Sequence, residues 1–223
     1  MRGLLGTVCV LMSLGIPGAW ASGDYYAGGV AGLATLSADS QSVLTTAAAQ
    51  VSTYKPENGA AVNLFFGRYI GNYVSVQANY IWNANNLTFV SSSVSPEGSS
   101  FYQQNRDSSQ SSATADVLVF FRNRDSRLRP YLSTGLGLVH VRSSAQNVTL
   151  FSGPTTTPAA DFSANTTGLR VAVGIDVKLA RGFSLRYSFS EMISANPISD
   201  HLSPPGERAL KNFQNLWGFI KRF

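Results

Sequence analysis

The chain has 223 residues, of which 44% are hydrophobic and only 13% charged, with 17 basic side chains against 12 acidic ones and a net charge of +5. That length supports one domain with a full core, or one closed all-β structure, rather than two domains. A charge so mild and dispersed excludes the concentrated basic face of a nucleic-acid binder, and past the first twenty residues no apolar run reaches the roughly 18 residues of a membrane helix, so any membrane crossing must use strands.

The first element in chain order is a secretory signal. Arg2 precedes an apolar stretch from Leu4 to Ile16, and Ala19-Trp20-Ala21 supplies the small-x-small triplet that predicts cleavage after Ala21. Residues 1–21 therefore read as a signal peptide and 22–223 as one domain. Cys9, the one cysteine, lies inside the apolar stretch rather than at the cleavage point, which argues against lipid attachment. The mature chain is cysteine-free, excluding a disulfide scaffold and a thiolate metal site.

From there apolar and polar residues alternate in segments of about ten, the period of half-buried or membrane-spanning strands. Strands are predicted near 25–37, 58–69, 73–84, 113–122, 130–142, 166–179, 183–194 and 212–223. In 166–179 one face carries Leu169, Val171, Val173, Ile175, Val177 and Leu179, and the other Arg170, Ala172, Gly174, Asp176 and Lys178. The next strand repeats the pattern, with Phe183, Leu185, Tyr187 and Phe189 opposite Ser184, Arg186, Ser188 and Ser190, after a tight turn at 180–182. Short connections at Gly71-Asn72, 123–129 and 180–182 alternate with long, Ser/Thr/Asn-rich ones at 38–57, 85–112, 143–165 and 195–211. Strict alternation is what an up-and-down barrel in a membrane produces, because every second connection faces the same side.

Cost decides the facing. An Arg or Lys at mid-bilayer on the lipid side costs about 2–4 kcal/mol, so Arg170, Asp176 and Arg186 are expected inside and the Val/Leu/Phe rows outside. In the third strand Tyr73, Ser75, Gln77, Asn79 and Ile81 read as inward, and Val74, Val76, Ala78, Tyr80 and Trp82 as outward. Strands 25–37, dominated by Gly and Ala, and 130–142, broken by Gly135 and Gly137, are ambiguous in facing, and His140 and Arg142 are placed inward. Backbone groups in lipid must all be paired, so the last strand is expected to bond back to the first. Phe213, Trp217, Phe219 and Phe223 then share its outward face with Asn215 and Lys221.

Signal peptide, eight amphipathic strands and the terminal "GFIKRF" together resemble the OmpA-like/OmpX-like small outer-membrane barrels of Gram-negative bacteria, over essentially the whole mature chain. The resemblance implies an all-β, eight-stranded antiparallel up-and-down transmembrane β-barrel in the outer membrane. It also implies that Phe213, Trp217, Phe219 and Phe223 form the signal read by the barrel assembly machinery, although Lys221 stands where the family usually has an apolar residue.

Four groups of residues are candidates for function. Asp116, Arg170, Asp176 and Arg186 are expected to meet as a lumenal charge network, either as mutually neutralising core residues or as a narrow ion path. Arg68, Arg122, Arg124, Arg127, Arg129, Lys178, Arg181, Lys221 and Arg222 gather at the short-turn, periplasmic end, where snorkelling to phospholipid phosphates accounts for them. The long connections are read as polar loops that include Arg106 among their charges, with Phe101, Tyr102, Phe151 and Phe162 exposed for ligand contact or packed on the mouth. Asn86, Asn147 and Asn165 match a glycosylation acceptor pattern that a bacterial envelope protein would generally not use. Some barrels that resemble this one act on lipid A, but Arg142 stands two residues from His140 where a serine is needed, Glu191 faces outward and His201 lies in a polar loop. The reading is therefore a non-enzymatic structural or surface-interaction scaffold, with a narrow porin-like channel as the alternative. No cofactor, metal or nucleic acid is expected, and the implied partners are outer-membrane lipids, the assembly machinery and an extracellular ligand for a monomeric barrel.

Overall fold

The computed structural model describes residues 24–152, 159–202 and 204–223, with the backbone alone over 147–152. The signal expected at 1–21, and the Asn147 and Phe151 side chains, lie outside the described residues. Eleven strands form one antiparallel sheet: β1 (Tyr25–Leu36), β2 (Asp39–Leu44), β3 (Ala49–Pro56), β4 (Gly59–Ile70), β5 (Val74–Ala84), β6 (Leu87–Ser95), β7 (Gly98–Phe120), β8 (Leu128–Ser152), β9 (Phe162–Lys178), β10 (Phe183–Ala195) and β11 (Ala209–Arg222). Eight of them close a ring in the order β1-β4-β5-β7-β8-β9-β10-β11. Closure runs from Tyr26 opposite Arg222 to Leu36 opposite Asn212. The Phe223 amide then donates to the Tyr25 carbonyl at 3.0 Å, so no edge is left in the ring.

Two features let the chain turn and close. Arg181 and Gly182 both take positive φ, 55° and 79°, the type I′ geometry whose twist suits a two-residue hairpin, and the Phe183 amide returns to the Ala180 carbonyl at 3.0 Å. Gly28 and Gly67 face the rings of Phe65 and Tyr26 so closely that a Cβ at either position would strike them. Missing side chains in one strand thus make room for aromatics in the next.

Alternation then sorts every ring strand. Ser75, Gln77, Asn79, Ile81 and Asn83 of β5 are buried while Val76, Tyr80 and Trp82 are exposed, as are Leu169, Val171 and Val173 of β9. Tyr73, expected inward, sits exposed in the turn before β5. His140 and Arg142, also expected inward, face outward: the register of β8 turns Val139 and Val141 into the interior instead.

Of the four long connections, three depart from the loops expected of them. Segment 38–57 is largely the hairpin β2-β3; 85–112 is β6 plus the upper half of β7; and 143–165 contains the upper part of β8 and the start of β9. Pairing of β2 with β3, β3 with β6 and β6 with β7 carries the sheet well beyond the ring. Segment 195–208 remains a connection, with one 3-10 turn at Ser199–His201. Among the described residues no helix is long and apolar enough to cross a membrane.

Inside, two apolar clusters bracket a polar belt. At the short-turn end Tyr26, Phe65, Tyr69, Phe120, Tyr131 and Ile220 pack together. At the far end Tyr54, Leu87, Phe89, Tyr102, Val139, Ile198 and Leu202 form the second cluster.

Candidate functional site: a bonded lumen beneath an extended sheet

The belt is built from polar and charged inward side chains on the ring strands. Asp176 on β9 lies opposite Arg186 on β10, and Arg186 grips it bidentately, Nε to Oδ1 at 2.7 Å and Nη2 to Oδ2 at 2.8 Å. Its third nitrogen, Nη1, crosses the lumen to Gln77 Oε1 on β5 at 2.7 Å. Gln77 Nε2 donates to Asn79 Oδ1 at 2.6 Å, Asn79 Nδ2 to Thr114 Oγ1 at 3.1 Å, and Thr114 Oγ1 to Asp116 Oδ1 at 2.8 Å. Asp116 is paired with Arg170. All four charged groups are 3% exposed or less, so the two ion pairs are the ends of one hydrogen-bonded chain across the interior. Buried charges persist only when paired and bonded in this way.

Rings close the belt from below. The Arg186 guanidinium lies 4.8 Å from the ring centroids of both Phe65 and Tyr131, and Phe65 and Phe120 are 5% and 2% exposed. Above the belt, a void of about 10 Å³ lined by Leu36, Asn83, Asn85, Val141 and Leu210 has room for about one water molecule.

Higher still, the extended sheet and segment 195–208 form a cap. Arg106 on β7 is 1% exposed, and among the described residues no carboxylate is bonded to it. It donates instead to the carbonyls of Ala159 and Ala160, each at 2.7 Å, and to Ser143 Oγ at 2.8 Å. Phe89 and Phe162 lie near the guanidinium, at 5.0 and 5.2 Å, and the His201 ring stacks on Phe162 at 4.1 Å. Burial presses Arg106 below its usual value, opposed by Asp161 and Tyr102. Burial, then the nearby Arg106 charge, holds His201 below the ordinary histidine range, with Asp200 opposing. Asn196 Nδ2 donates to the Tyr54 hydroxyl at 3.2 Å, Ser52 Oγ to the Pro204 carbonyl at 2.5 Å, and the Glu207 amide to Asp39. These bonds tie segment 195–208 to β2 and β3.

Placement of the remaining candidates is mixed. Arg106, read as a loop charge, is a buried strand residue, and Tyr102 takes the second of its two expected placements, packed in the cap. The alternation that would have found them, Tyr102-Gln104-Arg106-Ser108-Gln110, has polar residues on both faces. Arg122, Arg127, Lys178 and Arg181 stand exposed at the short-turn end, and Arg68 lies 5.3 Å over the Tyr25 ring. Arg129 departs from the rim, being 1% exposed and turned into the lumen. Trp217, Phe219 and Phe223 are exposed on the outer face of β11, and Phe213 is half-buried there against Phe189. His140 Nδ1 is 2.7 Å from Asn165 Oδ1 on the outside of the sheet.

Among the described residues no group of three or more histidine, cysteine or carboxylate side chains is arranged to hold a metal ion.

A family model described as the outer membrane protein beta-barrel domain matches residues 6–207. Among solved structures, the chain is similar to Neisserial surface protein A, at 15% identity and a TM-score of 0.53, covering 89% of this chain and 97% of that one. Ail, the attachment invasion locus protein of Yersinia pestis, aligns at 13% identity and a TM-score of 0.46 over 90% of this chain and 99% of that chain. OprG from Pseudomonas aeruginosa aligns at 15% identity and 0.45, over 91% and 96%. At these identities the likeness is one of fold, carried by the first of the three. No curated protein matches the chain by sequence.

Proposed function

Because the chain belongs to the outer membrane protein β-barrel family, we propose that it is a structural and surface-interaction scaffold of the outer membrane. A filled barrel anchors it, and the extended sheet is the part offered to the outside. The observation that carries this reading is the bonded chain from Asp176-Arg186 through Gln77, Asn79 and Thr114 to Asp116-Arg170. An ion passing through would have to break several buried charged hydrogen bonds, and an eight-stranded barrel is wide enough only for side chains. The cap has a different character, with its backbone paired in strands and an outer surface that mixes polar side chains with exposed Val43, Leu44, Val51 and Val94. Loops and sheets held rigidly above a scaffold are where contact residues are found.

Lipid contact and assembly belong to the same reading. The outward rows of β5, β9 and β10 meet the bilayer, and Phe213, Trp217, Phe219 and Phe223 serve as the recognition signal for the assembly machinery. Single-channel recording of residues 22–223 refolded into a planar bilayer, after a heat-modifiable gel shift establishes folding, tests the scaffold against the channel. A silent bilayer is expected. Discrete openings altered by Arg170→Ala or Arg186→Ala would make the belt an ion path and overturn the reading.

A further inference from the structure

At the short-turn mouth three arginines converge on one ring. The guanidinium carbons of Arg124, Arg129 and Arg222 lie 4.7, 5.1 and 5.7 Å from the centroid of Tyr69. Among the described residues a carboxylate bonds only one of them: Asp24 accepts from Arg124 Nη1 at 2.8 Å. Arg129 uses one nitrogen, Nη2, on the Asn72 carbonyl at 3.1 Å, and Arg222 makes a long contact from Nη2 to Ser184 Oγ at 3.4 Å. Arg129 Nε and Nη1 and Arg222 Nε are buried with no hydrogen-bond partner, and the Tyr69 hydroxyl, which interacts with Arg129, keeps its own O–H to donate.

Stacking relieves this only in part. The Phe120 ring centroid lies 3.8 Å from the Arg129 guanidinium and attracts the cation, but the guanidinium N–H donors point out in its own plane and gain no acceptor from a ring face. Leaving charged donors dry and unpaired is among the costlier arrangements a fold can hold. Asp176 lies cross-strand from Arg129, but both of its oxygens are already on Arg186. The uncancelled cations and the idle N–H groups call for the same thing, an acceptor carrying negative charge and several oxygens.

We propose that the periplasmic mouth is an oxyanion site, in which Arg129 and Arg222, with the Tyr69 hydroxyl, hold one phosphate group. Arginine's fixed fork matches a phosphate's paired oxygens. Arg124 and Arg222 are partly exposed and Arg129 is buried, so Arg124 and the outer edge of Arg222 form the entrance from the periplasm. The phosphate comes either free in solution or as the headgroup of a periplasmic-leaflet phospholipid reaching round the rim. This site is independent of the cap and of whether the barrel conducts.

The test uses the refolded barrel in an uncharged, phosphate-free detergent, with inorganic phosphate titrated against chloride at matched ionic strength, followed by calorimetry and by the urea midpoint. Wild type is expected to bind one phosphate and shift its midpoint upward. Arg129→Gln and Arg222→Gln should each lose roughly tenfold or more in affinity, the worth of a charged hydrogen bond, while Arg181→Gln in the exposed turn binds as wild type does. A second arm compares phosphate-free galactolipid vesicles with vesicles containing phosphatidylglycerol. A midpoint shift there, without one from free phosphate, assigns the site to the headgroup. If Arg129→Gln fails to give the folded gel band, Arg222→Gln and the wild-type comparison of phosphate with chloride still decide. No response in either arm means that water satisfies these donors and overturns the proposal, as does an equal loss in Arg181→Gln.

Discussion

Along β7, the residues below Ser111 and those above it keep the same inward burial but meet different surroundings on the other face. Below, Ala113, Ala115, Val117 and Val119 point outward while Ser112, Thr114, Asp116 and Leu118 are buried. Above, Gln103, Asn105, Asp107 and Ser109 point outward while Tyr102, Gln104, Arg106 and Ser108 are buried. β8 repeats the change, from Leu132, Leu136 and Leu138 to His140 and Arg142. The backbone continues through the membrane boundary, and only the row that touches lipid or water is rewritten. The interiors differ as well: arginine meets carboxylate in the belt, but carbonyls and rings in the cap.

The largest effect should come from splitting a belt pair. Arg186→Met leaves Asp176 charged and dry, at a cost of about 3–5 kcal/mol, seen as a lower urea midpoint for the heat-modifiable band. Adding Asp176→Leu should recover most of that loss, because a well-packed apolar pair replaces an ionic one at little cost.

Next in size is the change of outer face. Val117→Arg should destabilise the barrel in lipid by about 2–4 kcal/mol, whereas Gln103→Arg, on the same face of the same strand, should stay within about 0.5 kcal/mol. Equal costs for the two would remove the solvent boundary placed between them.

Arg106→Met sharpens the difference between belt and cap. It leaves the carbonyls of Ala159 and Ala160 without their donor, at about 1–3 kcal/mol, and should show as faster proteolysis near 159–161 with the barrel's gel shift unchanged.

Smallest is a pH effect at His201. Its folded value lies below the unfolded one through burial and the Arg106 charge. Neutral His201 therefore supports the cap above the unfolded value of about 6.5, and that support is lost as the pH falls through the folded one. Cap amides should exchange faster at pH 5 than at pH 7 after correction for intrinsic rates, and His201→Phe should remove the difference.

The ring strands were legible because lipid forces a contrast: Leu169 to Leu179 has a greasy face and a polar one, and that alternation fixes strand and facing, while which arginine meets which carboxylate came from the register. Upper β7 has no such contrast. Its sequence from Gln103 to Gln110 is polar on both faces, since one is wet and the other bonds within the cap, so a strand there reads as a solvated loop. Arg106 was hidden for the same reason, its partners being backbone carbonyls some fifty residues away. His140 and Arg142 were misplaced because Gly135 and Gly137 blur the phase of β8, and because charge implies an inward position only where the outside is lipid.

Residue-resolved amide exchange along β7, in the refolded barrel in lipid vesicles, tests the central claim most directly. Protection should run without a break from Val119 past Ser111 to at least Tyr102, as a strand paired with β6 and β8 beyond the membrane requires. Protection that stops near Ser109, with free exchange from Tyr102 to Ser108, would make the cap a set of mobile loops and contradict the ordered outer platform.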